Sequence, residues 1–321
     1  MIKGKTEKKW SVADIYGRFG IFIILIIAII IATFLSDVFL TPRNLSNIVR
    51  QNAVVMIIAF GSQMVLITGG CDLSPGSVCA LSGVISTMVM LQTGNAVIAL
   101  IVGVLIGAAC GLINGFVITT CGIPDFIMTL ASQFVARGAV LAITSAQPIA
   151  GFDKSYTIFG QGYVGPIPVP TIIMVLVLIF YWTLMNRRRF GRYVYAVGGN
   201  REAARSSGIN TKKIKTQAYL FAGAVAGLAG VILMSRMNSG QPNGGEQYEF
   251  DAITAAIIGG TSMSGGSGKV YGVVVGALFV GVLLNIMTLM DVSAYWQKIV
   301  KGIIIAAAVI IDVRVKNAKK A

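Results

Sequence analysis

The sequence contains no histidine, only four cysteines and few charged residues. Without histidine it lacks the commonest metal ligand and the side chain that exchanges protons near neutral pH. The four cysteines lie in or beside apolar stretches with no paired spacing, so we interpret them as small membrane residues rather than disulfide partners or metal ligands. Charged residues make up 12% of the chain, about half the fraction of an ordinary soluble domain. This composition excludes a water-soluble globular class.

Long apolar runs take the place of the missing charge, and 55% of the residues are hydrophobic. Between Asp72 and Asp125 there are 52 consecutive residues without a charged side chain. A membrane crossing needs about 20 such residues, so this stretch alone is long enough for two. The whole pattern predicts an all-α membrane protein with about ten transmembrane helices. They are expected at 19–36, 52–69, 74–92, 95–119, 124–146, 168–186, 213–236, 249–262, 269–290 and 293–312.

The basic residues are clustered. The formal net charge is +14, from 26 Lys and Arg against 12 Asp and Glu. Five of the basic residues fall within 1–18, nine within 187–215 and four within 314–320. Because cytoplasmic loops carry an excess of Lys and Arg, all three segments are predicted to be cytoplasmic. The positive charge therefore indicates membrane topology, and no nucleic-acid partner is expected.

These assignments divide the chain into three parts. We predict a cytoplasmic N-terminal tail at 1–18, a transmembrane domain at 19–312 and a cytoplasmic C-terminal tail at 313–321. Within the domain, 187–212 is predicted to be a cytoplasmic loop. Two loops that are poor in charge and rich in glycine and proline are predicted on the opposite side, at 147–167 and 237–248.

Glycine recurs at every fourth position of the fourth predicted helix, at Gly103, Gly107, Gly111 and Gly115. This spacing clears one helix face of side chains and favours close packing against another helix. A glycine face along a substrate path is the alternative interpretation.

Two segments resemble each other, Ile67–Ser77 (ITGGCDLSPGS) and Ile257–Ser267 (IIGGTSMSGGS). Both follow a helix that is predicted to run toward the cytoplasm. Transporters are often built from duplicated halves, in which Gly or Pro interrupts membrane helices. The pair therefore indicates either an internal half-repeat or two tight helix-to-helix turns.

The most informative segment is Gly198–Ile209 (GGNREAARSSGI), within the predicted cytoplasmic loop. Asn200 is a favourable N-cap, Glu202 lies in the first turn, where the helix dipole favours an acid, and Gly208 is a natural C-terminal stop. A helix of about two turns is predicted, which is too short to be stable alone. It must therefore lean on a partner; a solvated loop is the alternative.

The E-A-A sequence at 202–204, followed by Gly208 in a large cytoplasmic loop, resembles the coupling helix of permeases from ATP-binding-cassette (ABC) importers. Four further segments resemble the ribose-type monosaccharide permeases (the ribose, galactose, xylose and autoinducer-2 branch). The resemblance covers about residues 40–312. The four segments are Ile67–Gly83 (ITGGCDLSPGSVCALSG), Asn114–Arg137, Phe190–Lys215 (FGRYVYAVGGNREAARSSGINTKKIK) and Tyr248–Gly276.

The resemblance implies a ten-helix permease in the bacterial inner membrane, surrounded by membrane lipid and paired with a second permease chain, identical or a sister. It also implies a cytoplasmic ABC ATPase that binds ATP and Mg, usually with two fused cassettes, and a periplasmic or lipid-anchored sugar-binding protein. The short helix would insert into a cleft of the ATPase. The coupling residues so implied are Asn200, Arg201, Glu202, Ala203, Ala204, Arg205 and Gly208.

This chain is predicted to have no ATP site, no cofactor and no catalytic activity of its own. Residues 263–270 (MSGGSGKV) resemble a phosphate-binding loop. Met263 replaces its first glycine, however, and Val270 replaces the hydroxyl residue that would contact magnesium. The energy for transport is therefore expected to come from the partner ATPase.

A sugar is a neutral polyol, so its path needs hydrogen-bonding groups at membrane depth rather than net charge. The candidates are Gln63, Asp72, Asn114, Gln133, Arg137 and Asn285. For each of them an interhelical hydrogen bond is the alternative interpretation. The other ionisable residues lie near predicted helix ends and are expected to be interface anchors. They are Asp125, Glu249, Asp251, Lys298 and Lys301.

Two other functions stay open from the sequence. The half-repeat together with Asp72 and Arg137 is compatible with an ion-coupled secondary transporter, although buried carboxylates are few. An ABC permease for a nucleoside or an amino acid has the same broad architecture. The sequence does not identify the solute.

Overall fold

The computed structural model describes residues 12–318 of the 321-residue chain. Within this range the chain forms thirteen α-helices and one small β-hairpin. In chain order the elements are α1 (Val12–Leu35), α2 (Pro42–Ile67), α3 (Pro75–Thr93), α4 (Ala96–Cys121), α5 (Asp125–Thr144), α6 (Lys154–Gln161), β1 (Tyr163–Val164), β2 (Ile167–Pro168), α7 (Val169–Asn186), α8 (Arg189–Gly199), α9 (Arg201–Ser206), α10 (Thr211–Met237), α11 (Tyr248–Ile258), α12 (Val270–Leu289) and α13 (Ala294–Ala318).

In the described part of the chain, seven helices are long and apolar enough to cross a membrane: α2, α3, α4, α5, α7, α10 and α12. The predicted all-α membrane class is confirmed. The helix predicted at 249–262 is shorter, because α11 has 11 residues. At a rise of 1.5 Å per residue it covers about half of the hydrocarbon core.

The second helix starts earlier than its predicted beginning near 52. Pro42 opens α2, and the Thr41 hydroxyl accepts a hydrogen bond from the amide of Asn44 (3.4 Å). The sequence prediction began the helix near the start of the uncharged stretch that follows Arg50. The helix includes residues 42–51 as well, and this part buries side chains such as Ile48.

The structure describes part of each predicted tail. Residues 12–18 belong to α1, and residues 313–318 continue α13. Helix formation therefore continues past the predicted apolar span at each end. The remaining parts of the predicted tails, 1–11 and 319–321, lie outside the described residues.

The glycine face of α4 packs against α10, which is the most extensive helix contact in the fold. Gly103, Gly107, Gly111 and Gly115 are all buried. A Cβ on Gly107 would collide with the carbonyl oxygen of Gly223 on α10. Close backbone packing, rather than a substrate path, therefore explains the fourfold glycine spacing.

The two loops predicted on the outer side contact each other. Ile149 and Gly240 form an antiparallel bridge, with N···O distances of 3.0 and 2.7 Å. The loop at 147–167 also contains α6, whose buried Tyr156 donates a hydrogen bond to Ser86 Oγ (3.0 Å). These loops are ordered and fastened to α3 and α10.

Candidate functional site: an exposed helix joined to buried helix ends

The short helix α9 is built by local sequence chemistry. The Asn200 side chain accepts a hydrogen bond from the amide of Ala203 (3.0 Å) and so acts as the predicted N-cap. Gly208 has a left-handed backbone (φ 81°), and the amide of Ile209 bonds back to the carbonyl of Ala204 (3.1 Å). Glycine adopts this conformation without strain, which ends the helix where the sequence predicted.

Only one side of α9 is attached to the protein. Ala204 is buried, with 4% of its surface exposed. Arg201, Glu202, Ala203 and Arg205 are exposed. A six-residue helix is not stable in isolation, so α9 is held by its caps and by Ala204, and its outer face is free for a partner protein.

Helix α8, which precedes α9, was missed by the sequence analysis. It runs from Arg189 to Gly199 and buries Gly191, Val194 and Val197. Their three-residue spacing is typical of an amphipathic helix and was the signal that could have revealed it. Tyr195 donates a hydrogen bond from its hydroxyl to the carbonyl of Gly268 (2.8 Å). Burial raises the pKa of this phenol.

The end of α8 lies against the two similar segments of the sequence. A Cβ on Gly198 would collide with the carbonyl oxygen of Ile67, at the end of α2. The amide of Gly266 donates to the same oxygen (2.9 Å). The Gly265 backbone also lies beside Gly69. We call these five contacting residues, Ile67, Gly69, Gly198, Gly265 and Gly266, the glycine junction. It connects the α8–α9 segment to α2 and to the loop after α11 by backbone contact.

Helices α2 and α11 end in the same way. Gly69 (φ 77°) and Gly260 (φ 84°) are both left-handed. After each glycine, the amide of the next residue donates a hydrogen bond to the carbonyl five positions earlier. The Gly70 amide donates to Val65 O (3.1 Å), and the Thr261 amide donates to Ala256 O (3.0 Å). Both similar segments are therefore helix ends with a glycine C-cap. Gly69 and Gly260 are therefore equivalent in structure, whereas the sequence similarity pairs Gly69 with Gly259, one residue earlier.

Residues 70–74, between α2 and α3, are irregular and largely buried. Asp72 accepts hydrogen bonds from the amide (2.9 Å) and the hydroxyl (2.7 Å) of Ser74. Asn114 on α4 donates to Ser74 Oγ (3.1 Å). The amide of Leu73 donates to Thr129 Oγ1 on α5 (3.1 Å). Irregular backbone at membrane depth must be satisfied by the protein. Asp72 and Asn114 thus come together, as part of this bracing.

A charged pair lies next to the irregular segment. Lys215 on α10 and Asp125 on α5 form an ion pair with an N···O distance of 2.7 Å, and their side chains are 12% and 15% exposed. The Tyr219 hydroxyl donates to Asp125 Oδ2 (2.9 Å), the same oxygen that pairs with Lys215. Asp125 therefore joins α5 to α10 in addition to lying at a helix end.

Gln133 and Arg137 share a half-buried face of α5. Gln133 donates to Glu249 Oε1 on α11 (3.1 Å), and Arg137 donates to the carbonyls of Pro242 and Gly244 (3.2 Å to the second). The two path candidates thus meet α11 and the 237–248 loop. Unlike Gln63, Asp72 and Asn114, they are not fully buried.

The expectation that Glu249 and Asp251 anchor the protein at the interface was wrong. They are 2% and 3% exposed. Helix α11 is short and is covered by α2, α12 and α13, so its first turn lies inside the bundle. Asp251 pairs with Lys301 (2.8 Å). The second oxygen of Glu249, Oε2, has no hydrogen-bond partner among the described residues.

The remaining two path candidates are interhelical links. Gln63 is fully buried, donates to Thr261 Oγ1 (2.7 Å) and accepts from the Tyr181 hydroxyl (2.8 Å). Asn285 exchanges two amide hydrogen bonds with Asn44 (3.0 and 2.9 Å). The structure therefore distributes the six candidates over four separate places.

Residues 44–309 match the family described as branched-chain amino acid transport system / permease component. The ribose import permease protein RbsC of Bacillus subtilis is 44% identical over 96% of this chain and 97% of its own length. The D-allose permease AlsC of Escherichia coli is 37% identical (97% and 96% coverage), and the galactose/methyl galactoside import permease MglC of the same species is 36% identical (94% and 95%). No solved structure gives a significant match.

Proposed function

Since the chain belongs to the family of permease components of branched-chain amino acid transport systems, we propose that it is the membrane subunit of an ATP-driven monosaccharide importer. Its similar relatives are named as permeases for ribose, allose and galactose. A pentose or hexose is therefore the proposed solute, which is moved by alternating access. The relatives cited are all sugar permeases, which favours this solute over the nucleoside, amino-acid and ion-coupled alternatives.

The observation that carries the proposal is the exposed face of α9. A helix that turns Arg201, Glu202, Ala203 and Arg205 to solvent, while only Ala204 is buried, is suited to docking in a cleft of another protein. We propose that this protein is a cytoplasmic ABC ATPase, with two fused cassettes that bind ATP and Mg. The glycine junction would pass the movement of α9 on to α2 and to the loop after α11.

The proposed assembly has two permease chains, identical or sisters, in a bacterial inner membrane. Ten helices of each chain would be membrane-embedded, with both termini and 187–212 in the cytoplasm. A periplasmic or lipid-anchored binding protein would deliver the sugar to the opposite face. The matching glycine C-caps of α2 and α11 support a half-repeat.

For the sugar path we propose the α5 face with Gln133 and Arg137. Their half-buried position lets them exchange protein partners for sugar hydroxyls, and the neighbouring Glu249 has an unpartnered oxygen. The other four candidates are proposed to brace the bundle: Gln63, Asp72, Asn114 and Asn285.

Gln133→Ala should change the relative uptake rates of ribose, allose and galactose. An equal decrease for all three sugars would contradict a contact with the solute.

The test of the main proposal is uptake of labelled sugar by proteoliposomes that contain this chain, its ATPase and its binding protein. Uptake is expected to need ATP on the cytoplasmic side and to continue when proton and sodium gradients are collapsed. Ala203→Arg, on the exposed face of α9, should abolish uptake without loss of insertion. Ser155→Arg, at an exposed position of α6, should transport normally. Uptake driven by an ion gradient without the ATPase would contradict the proposal.

A further inference from the structure

An apolar groove of about 540 Å³ lies between α4, α7 and α10. Helix α7 packs mainly on α2, and this leaves a gap between α7 and the α4–α10 pair. Leu176 and Phe180 line one wall, and Leu220 and Ala224 line the other. Gln217 is the single polar residue among the described residues that line it. All three helices are long and apolar enough to cross a membrane, so the groove is at the depth of lipid acyl chains.

The groove face of α10 ends in a cation. Gln217, Leu220, Ala224 and Leu228 line the groove and recur at spacings of three or four, which places them on one face of the helix. Lys213 lies four residues before Gln217, on the same face, and is exposed. A rise of 1.5 Å per residue places it about 6 Å beyond the groove along the axis.

The groove face of α7 ends in a cation as well. Leu176 and Phe180 are four residues apart, and Arg187 follows Phe180 by seven, two turns further along the same face. Arg187 is exposed, and its guanidinium lies 5.3 Å from the centre of the Trp182 ring, which does not line the groove. To reach a head group at the end of the groove, the Arg187 side chain would have to turn away from this ring. Neither Arg187 nor Lys213 forms an ion pair with a residue that the structure describes.

We propose that this groove binds one anionic phospholipid, with an acyl chain between α7 and α10 and the phosphate on Arg187 and Lys213. The apolar walls match the chain, and the two exposed cations, which form no ion pair with a described residue, match the head group. Basic pockets between membrane helices on the cytoplasmic side are suited to anionic head groups. This lipid site goes beyond the proposed transport function. It depends on that proposal only for the orientation of the chain, in which residues 187–212 are cytoplasmic.

A second copy of the chain fits the groove less well. When two copies in one membrane are related by a twofold axis along the membrane normal, equivalent residues of the two copies lie at the same depth. The basic ends of the two grooves would then face each other, and like charges repel. A phospholipid instead supplies the opposite charge.

The full-length chain in phosphatidylcholine vesicles would be irradiated with a trace phospholipid that carries a photoreactive acyl chain, either phosphatidylglycerol or phosphatidylcholine. Adducts are expected on the groove segments of α7 and α10, with more from phosphatidylglycerol. Arg187→Gln with Lys213→Gln should reduce this preference by about fivefold for each cation removed. Lys212→Gln, which removes an exposed cation on another face of α10, should keep it. Continued labelling of the double variant by phosphatidylcholine would show that it is folded.

A further pair of variants tests the acyl-chain part of the site. Ala224→Phe fills the groove and should lower labelling by both lipids, whereas Val135→Phe on the exposed face of α5 should not. Equal labelling by the two lipids in the wild type, or an unchanged preference in the double variant, would overturn the proposal. So would a disulfide between two chains that carry Leu176→Cys, because a second copy would then occupy the groove.

Discussion

Gly198 and Gly199 are neighbours at the end of α8 with different surroundings. A methyl group on Gly198 would collide with Ile67 O in the glycine junction, whereas nothing lies within 4 Å of one on Gly199. Overpacking of this kind typically costs about 1–3 kcal/mol. Gly198→Ala should therefore lower the unfolding temperature and slow sugar uptake in proteoliposomes, while Gly199→Ala should match the wild type. Equal uptake by the two variants would show that the junction does not couple α9 to α2.

The largely buried ion pair of Lys215 and Asp125, with side chains 12% and 15% exposed, can be compared with the exposed pair of Lys298 and Glu246. The exposed pair has a distance of 3.6 Å, and its side chains are 56% and 61% exposed. Lys215→Met leaves the Asp125 carboxylate without its cation and should destabilise the protein by about 3 kcal/mol. Exposed pairs contribute little, so Lys298→Met should leave the melting temperature in detergent unchanged. Adding Asp125→Asn to Lys215→Met should restore part of the loss. If it does not, the Lys215 effect comes from packing.

Contact between α4 and α10 depends on small residues at particular positions. Gly107→Ala places a methyl group against the α10 backbone and should destabilise the protein by about 1–3 kcal/mol. Gly138, within α5, has nothing within 4 Å of an added Cβ. Gly138→Ala should be neutral or stabilising by up to about 1 kcal/mol, since alanine is the better helix former. Thermal unfolding of the two variants in detergent would measure the difference. A loss of stability below about 1 kcal/mol for Gly107→Ala would mean that α4 and α10 move apart easily to accept the methyl group.

Local sequence chemistry predicted those elements that depend on near neighbours. The glycine spacing of α4, the Asn200 N-cap and the Gly208 stop all depend on residues within a few positions. The glycine junction was not predictable in this way, because it joins residue 67 to residues 198 and 266 across the chain. The buried acids of α11 were misplaced because their burial depends on the helices that cover them. Helix α8 was missed because its charges were taken only as a topology signal.

The orientation of the whole molecule can be tested by labelling. In a chain whose four cysteines are replaced by alanine, Ser207→Cys and Ser155→Cys each provide one exposed thiol. Since 187–212 is proposed to be cytoplasmic, a membrane-impermeant maleimide added to intact spheroplasts should label position 155 and not 207. Disruption of the membrane should make both reactive. Labelling of 207 in intact spheroplasts would reverse the proposed topology.

The irregular segment at 70–74 also constrains how the protein is made. Its partners, Asn114 and Thr129, are translated after it and belong to α4 and α5. Until they arrive, the Ser74 hydroxyl oxygen and the Leu73 amide lack the hydrogen-bond partners that they have in the folded protein. We therefore expect α2 to α5 to leave the insertion machinery as one unit, rather than helix by helix. A ribosome stalled before α5 should hold a nascent chain in which α3 is still accessible to water.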